Sequence, residues 1–164
     1  MTVISTEKDT EALTLTFVAE FDADIQRVWR VWEDPRQLER WWGPPTWPAT
    51  FQKHDFTLGG RSLYYMTGPD GEKPYSWWVI TALDAPNRLE YDEGFADENG
   101  EPDSTMGAIH NVVTLDSTGQ ATRMSVVATF ENAEQLQQML EMGMEEGMRS
   151  AMRQIDALLA DVSR

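Results

Sequence analysis

The sequence contains no cysteine. Disulfides, thiolate nucleophiles, cysteine zinc sites and cysteine-ligated iron–sulfur clusters are therefore excluded. Histidine is almost as scarce: His54 and His110 are the two present. No closely spaced His pair and no His-Glu-x-x-His motif occurs, so no metal is expected. Positive charge is also in short supply. Thirteen Lys and Arg stand against 28 Asp and Glu, a net charge of −15. Phosphate backbones and anionic lipid surfaces repel such a chain, so neither nucleic acid nor membrane is an expected partner. No apolar run approaches the ~18 residues of a membrane span. The first nine residues, Met1 to Asp9, lack the apolar core of a secretion signal, and a cytoplasmic location is the expectation. Phosphate-binding Gly loops and the Gly-x-Ser-x-Gly elbow are missing too, and no cofactor is expected.

What remains is a globular composition. Hydrophobic residues make up 41% of 164 residues and aromatics 10%, enough for one domain with a real core. Residues 1–10 are polar and read as a disordered tail ahead of a single domain over 11–164. Leu13, Leu15, Phe17, Ala19 and Phe21 alternate as in a strand. Asp22 and Asp24 are candidate N-caps for a helix carrying Ile25, Val28, Trp29 and Trp32. Asp34-Pro35 opens a second short helix, which Gly43-Pro44-Pro45 ends. Six further strands are predicted at 49–58, 61–67, 74–83, 88–95, 105–115 and 121–130, separated by Gly, Pro, Asn and Asp turns. The acidic stretch Asp97 to Asp103 lacks calcium-loop spacing and reads as a hairpin loop turning at Asn99-Gly100. A long amphipathic helix is predicted over 133–161, striped by Leu136, Leu140, Ala151, Ile155, Leu158 and Leu159. The order is β-αα-β6-α. A meander of seven strands cannot bury both faces, so the long helix must cover one, an α+β arrangement.

This order resembles the START-like superfamily, also called helix-grip or SRPBCC. Within it, the chain is similar to the family named for the activator of heat-shock protein 90 ATPase homologue. The matching segments are Ala23 to Trp29, Trp41-Trp42-Gly43-Pro44, Gly59-Gly60-Arg61, Ala85 to Leu89, Thr122-Arg123 and Met142 to Met148. The resemblance spans about residues 12–161. It implies a curved antiparallel sheet gripping the C-terminal helix, with an apolar cavity between them. Superfamily relatives bind lipids, sterols, polyketides or plant hormones, and some cyclise polyketides. The family name itself comes from eukaryotic co-chaperones.

Seven Trp and nine Met are the chemical signature of the chain. Met139, Met142, Met144, Met148 and Met152 crowd the long helix, and Met adapts to variable apolar ligands. A small hydrophobic or amphipathic molecule is the expected partner. Its site would draw on Trp41 and Trp42 from the second helix and Tyr64, Met66, Trp78, Tyr91 and Ile109 from the strands. The long helix would add Met139, Met142, Gly143, Gly147 and Met148. Trp77 and Trp78 are strand neighbours, so their rings point to opposite faces, and the sequence leaves open which one faces inward. A cyclase or hydratase is the alternative, with His110, Asp55 and Arg61 as catalytic candidates beside Tyr64 and Tyr91. It requires His110 to point into the cavity. A co-chaperone-type interaction module is the third reading and requires a broad exposed apolar patch.

Overall fold

The computed structural model describes residues 4–103, 105 and 107–160. Eight strands form one antiparallel sheet in the spatial order β1-β2-β8-β7-β6-β5-β4-β3. They are β1 (Ile4–Asp9), β2 (Thr14–Phe21), β3 (Ala49–His54), β4 (Arg61–Met66), β5 (Tyr75–Asp84), β6 (Arg88–Ala96), β7 (Ile109–Thr118) and β8 (Ala121–Thr129). Helices α1 (Ile25–Glu33) and α2 (Pro35–Trp41) join β2 to β3, and α3 (Ala133–Glu141) and α4 (Met144–Ala160) follow β8. The sheet stays open, with β1 and β3 at its edges.

The caps explain the short helices. Asp24 accepts from the Arg27 amide at 2.9 Å and starts α1. Asp34 closes α1 and caps α2, accepting from the Arg36 amide at 2.9 Å with Pro35 in the first turn. Asp22, the other candidate cap, is not used.

Strand alternation sorts the core. Leu15, Phe17, Ala19 and Phe21 of β2 are buried, as are Met124, Val126 and Ala128 of β8. Ile80 of β5, Leu89 and Tyr91 of β6, and Val113 and Leu115 of β7 join them on the inner face. Helix α4 lies over this face and contributes Ala151, Met152, Ile155, Leu158 and Leu159. Trp32 of α1 and Trp41 of α2 fill the space between helices and sheet, both fully buried. Their indoles are satisfied: Trp41 Nε1 donates to the Val31 carbonyl at 2.9 Å, and Trp32 Nε1 points at the Met124 sulfur at 3.4 Å. The two rings also meet edge-on with centroids 4.9 Å apart, a pairing that adds ~0.5–1.5 kcal/mol beyond the area it buries.

Two expectations need correction. Residues 4–9 are not a disordered tail but the edge strand β1, paired with β2 from Ile4↔Ala19 to Asp9↔Thr14. The predicted seven-strand sheet therefore has an eighth member. The single helix over 133–161 is two helices. Gly143 adopts φ +86 and breaks the helix after Met142, whose amide donates to the Gln138 carbonyl. Residue 161, the expected helix end, lies outside the described residues.

Candidate functional site

Between the inner sheet face and the α3–α4 break lies a recess of about 440 Å³. Its walls come from four directions. Strands β4 to β6 supply Tyr64, Met66, Ser76, Tyr91 and Glu93. Strands β2, β7 and β8 supply Phe17, Ile109, Asn111, Val126 and Ala128. The loop after α2 brings Trp42 and Trp47, and the last two helices bring Met139, Met142, Met144, Gly147, Met148 and Ala151.

Local structure explains why side chains do not fill this space. A Cβ on Gly147 would meet no atom within 4 Å, so this helical position opens onto the recess. Gly143 at the break likewise faces free space. Met142, 62% exposed, stands at the rim. The loop carrying Trp42 and Trp47 is tied to α4, because the Gln154 side chain donates to the Gly43 carbonyl at 2.8 Å and the Trp41 carbonyl at 3.3 Å. The Trp47 ring lies flat enough on Gly68 that a Cβ there would sit 2.6 Å from it.

Below the walls is a rigid aromatic floor. Trp78 stacks on Tyr91 with centroids 4.2 Å apart, and Phe51 stacks on Tyr64 at 4.6 Å. Trp42 meets Trp78 edge-on at 5.0 Å. Trp78 is thus the inward ring of the Trp77-Trp78 pair. Trp77 lies on the outer face over Gly94, its cross-strand partner.

The polar content of the recess is small and concentrated. Glu93 is the charged side chain on its wall among the described residues. Desolvation pushes its carboxyl up to about 7, and the nearby Asn111 amide and Trp78 indole offset only part of that. Tyr64 and Tyr91 are held above the ordinary phenol range, first by burial and then by the Glu93 charge. The Trp42 and Trp78 indole N–H groups are buried with no acceptor at hydrogen-bonding distance. Both lie near the Tyr64 hydroxyl at longer range. A buried donor without a partner costs about 1–3 kcal/mol.

The structure brings ten of the twelve expected site residues to the recess: Trp42, Tyr64, Met66, Tyr91, Ile109, Met139, Met142, Gly143, Gly147 and Met148. The other two, Trp41 and Trp78, are fully buried and lie off its wall. Trp41 turns toward α1 to reach Val31, and Trp78 is covered by its stack with Tyr91. The three catalytic candidates are elsewhere. His110 is on the outer face, its Nδ1 2.7 Å from Asp92 and its Nε2 3.0 Å from Glu90. Desolvation works against its protonation, yet the two carboxylates outweigh it and the net shift is upward. Asp55 is exposed and accepts from the Thr57 hydroxyl, and Arg61 is exposed at the start of β4. His54 is a structural residue. It links Ser62 Oγ at 2.7 Å to the Trp32 carbonyl at 2.9 Å, and burial lowers its pKa.

Two polar residues on the wall, Glu93 and Asn111, fall outside an apolar reading of the lining. The signal was available: each sits two residues from an expected wall residue on the same strand, Tyr91 and Ile109, and therefore on the same face. Trp47 carried no such signal, since a loop has no periodicity. Among the described residues, no group of three or more His, Asp or Glu is placed to hold a metal ion.

Residues 22–160 match the family described as Activator of Hsp90 ATPase homolog 1-like protein. A protein from Arthrobacter aurescens, solved by NMR, is 60% identical and superposes with a TM-score of 0.92, covering 96% of this chain and 91% of its own. The crystal structure of protein Ms6760 from Mycobacterium smegmatis is 47% identical, with a TM-score of 0.89 over 96% of this chain and 97% of its own. An NMR structure from Staphylococcus epidermidis is 28% identical, with a TM-score of 0.83 and coverages of 95% and 93%. No curated protein matches the chain.

Proposed function

The chain belongs to the Activator of Hsp90 ATPase homolog 1-like family, and on that premise we propose that its recess is a binding cavity for a small hydrophobic or amphipathic molecule. The observation that carries this reading is Gly147. A helix interior normally disfavours Gly by about 1 kcal/mol relative to Ala. Here Gly147, half-buried on the recess wall, leaves open space where a side chain would stand. The volume, about 440 Å³, falls within the ~300–1,000 Å³ typical of small-molecule sites. Adaptable Met side chains on the helix side face fixed aromatic rings on the sheet side, which suits an apolar body.

The cyclase reading is weakened because the outward His110 removes the imidazole it needs from the recess. The large apolar side chains exposed among the described residues are Leu58, on the turn after β3, and Met142, at the rim of the recess. They favour a ligand site over the broad patch that a protein-docking module requires.

Nile red, a neutral environment-sensitive dye, tests the proposal. The native protein should bind it with one site per chain and a blue-shifted emission. Gly147→Leu should fold with an unchanged far-UV spectrum and lose that binding. No binding by the native protein, or equal binding by the Leu variant, would sink the reading.

A further inference from the structure

Resting on that binding reading, we propose that the recess selects amphiphiles whose polar end is a basic amine, held against the Glu93 carboxyl, and rejects amphiphiles that end in a carboxylate. Glu93 pairs with Trp78 on β5 and Ile109 on β7, which fixes it in the middle of the inner face. It borders the recess, and no ion pair includes it among the described residues.

The groups facing it from each packed element are few. Strand β4 gives the Tyr64 phenol, β6 itself Tyr91, β5 Ser76 and β7 Asn111. The helices offer Met and Gly, and the loop after α2 offers Trp42 and Trp47. Tyr64 and Tyr91 are the other titratable groups on the wall, and both stay neutral far into the alkaline range. No Lys, Arg or His lines the site among the described residues.

A carboxylate placed in apolar surroundings without a cation lacks compensation. A ligand ammonium supplies it, forming a charge-assisted hydrogen bond. Trp42, Tyr64 and Tyr91 on the wall would add cation–π attraction wherever an uncovered ring face meets the ammonium. A second carboxylate would meet like charge in a poorly screened site. The net charge of −15 acts in the same sense on approach, favouring cations over anions.

Three probes with one ten-carbon chain separate the terms: decylamine, decanol and decanoate, each below its micelle concentration. Their affinities are read by tryptophan fluorescence and calorimetry for the native protein, Glu93→Gln and Glu93→Asp. At pH 8 the native protein should bind decylamine about tenfold more tightly than decanol, with decanoate weakest. Glu93→Gln should bring the amine down to the level of the alcohol and improve decanoate, whereas Glu93→Asp should retain the amine preference. Amine affinity for the native protein should fall from pH 8 to pH 5.5 as the carboxyl takes up a proton, and in Glu93→Gln it should not. Equal amine affinity in native and Gln proteins, or decanoate binding as tightly as the amine, overturns the selectivity. If decanol and Nile red bind while the amine has no advantage, selectivity fails and the cavity stands. If no probe binds, both fall.

Discussion

At the scale of the residue, the account turns on one carboxyl in the wrong solvent. Burial pushes the Glu93 carboxyl up from its ordinary 4.5 to about 7. A carboxyl whose folded pKa is raised supports the fold only while it is protonated. Its contribution is complete below pH 4.5 and is lost as pH rises through about 7. The span between the two values corresponds to at most about 3 kcal/mol. Glu93→Gln removes this dependence while keeping the shape. Urea melts should show the variant close to the native protein at pH 4.5 and more stable by up to about 3 kcal/mol at pH 8. A variant equally or less stable at pH 8 would mean that Glu93 is better solvated or better paired than the recess geometry allows. The same residue shows where sequence reasoning stopped. Aromatic and Met content points to the surface that forms the recess wall, and the two-residue period places Glu93 on the same face as Tyr91. Its polarity sets it apart from the apolar lining that composition predicts.

At the scale of the element, the break between α3 and α4 shapes the recess. Gly143 and Gly147 look equivalent in the sequence, four residues apart in one helical pattern. The structure separates them. Gly143 has φ +86, where a side chain is strained whatever the space around it. Gly147 is an ordinary helical residue with open space at its Cβ. Gly143→Ala should therefore destabilise the protein by about 1 kcal/mol or more. Gly147→Ala should stabilise it by up to about 1 kcal/mol through helix propensity. Urea melts of the two variants, run side by side, should move in opposite directions; a shift of both the same way would contradict the break. Periodicity could not reveal it, because Leu140, Met144 and Ala151 keep a helical spacing straight across it. The edge strand β1 was invisible for a different reason. It contributes Ile4 and Thr6 to the half-buried surface and, Ile4 apart, reads as polar tail. What holds it is main-chain pairing with β2, which leaves no hydrophobic pattern. By contrast, the Asp24 and Asp34-Pro35 caps, β2, and the turn at Asn99-Gly100 were legible. Each rests on a local rule, a side-chain cap or a left-handed glycine, that needs no tertiary partner. The Gly100 amide indeed closes that turn onto the Asp97 carbonyl at 2.9 Å.

At the scale of the whole molecule, an open eight-stranded sheet, two short helices and a kinked helix pair frame a half-open recess whose described wall is mostly apolar and carries Glu93. The sheet wall is stiff, built of stacked rings and paired strands. The helix wall is soft, built of Met side chains around a glycine. The methionines also provide reporters on both sides of the boundary. Met66, Met139 and Met148 line the recess, whereas Met124 and Met152 are buried in the core and lie off its wall. A titration of carbon-13 methyl-labelled methionines with Nile red, followed by NMR, therefore reports whether the recess takes up a ligand. The methyl signals of Met66, Met139 and Met148 should shift and saturate together, while those of Met124 and Met152 stay in place. Shifts confined to exposed methyls, or no saturable shift at Met66, Met139 and Met148, would contradict a ligand cavity between the sheet and the last helices.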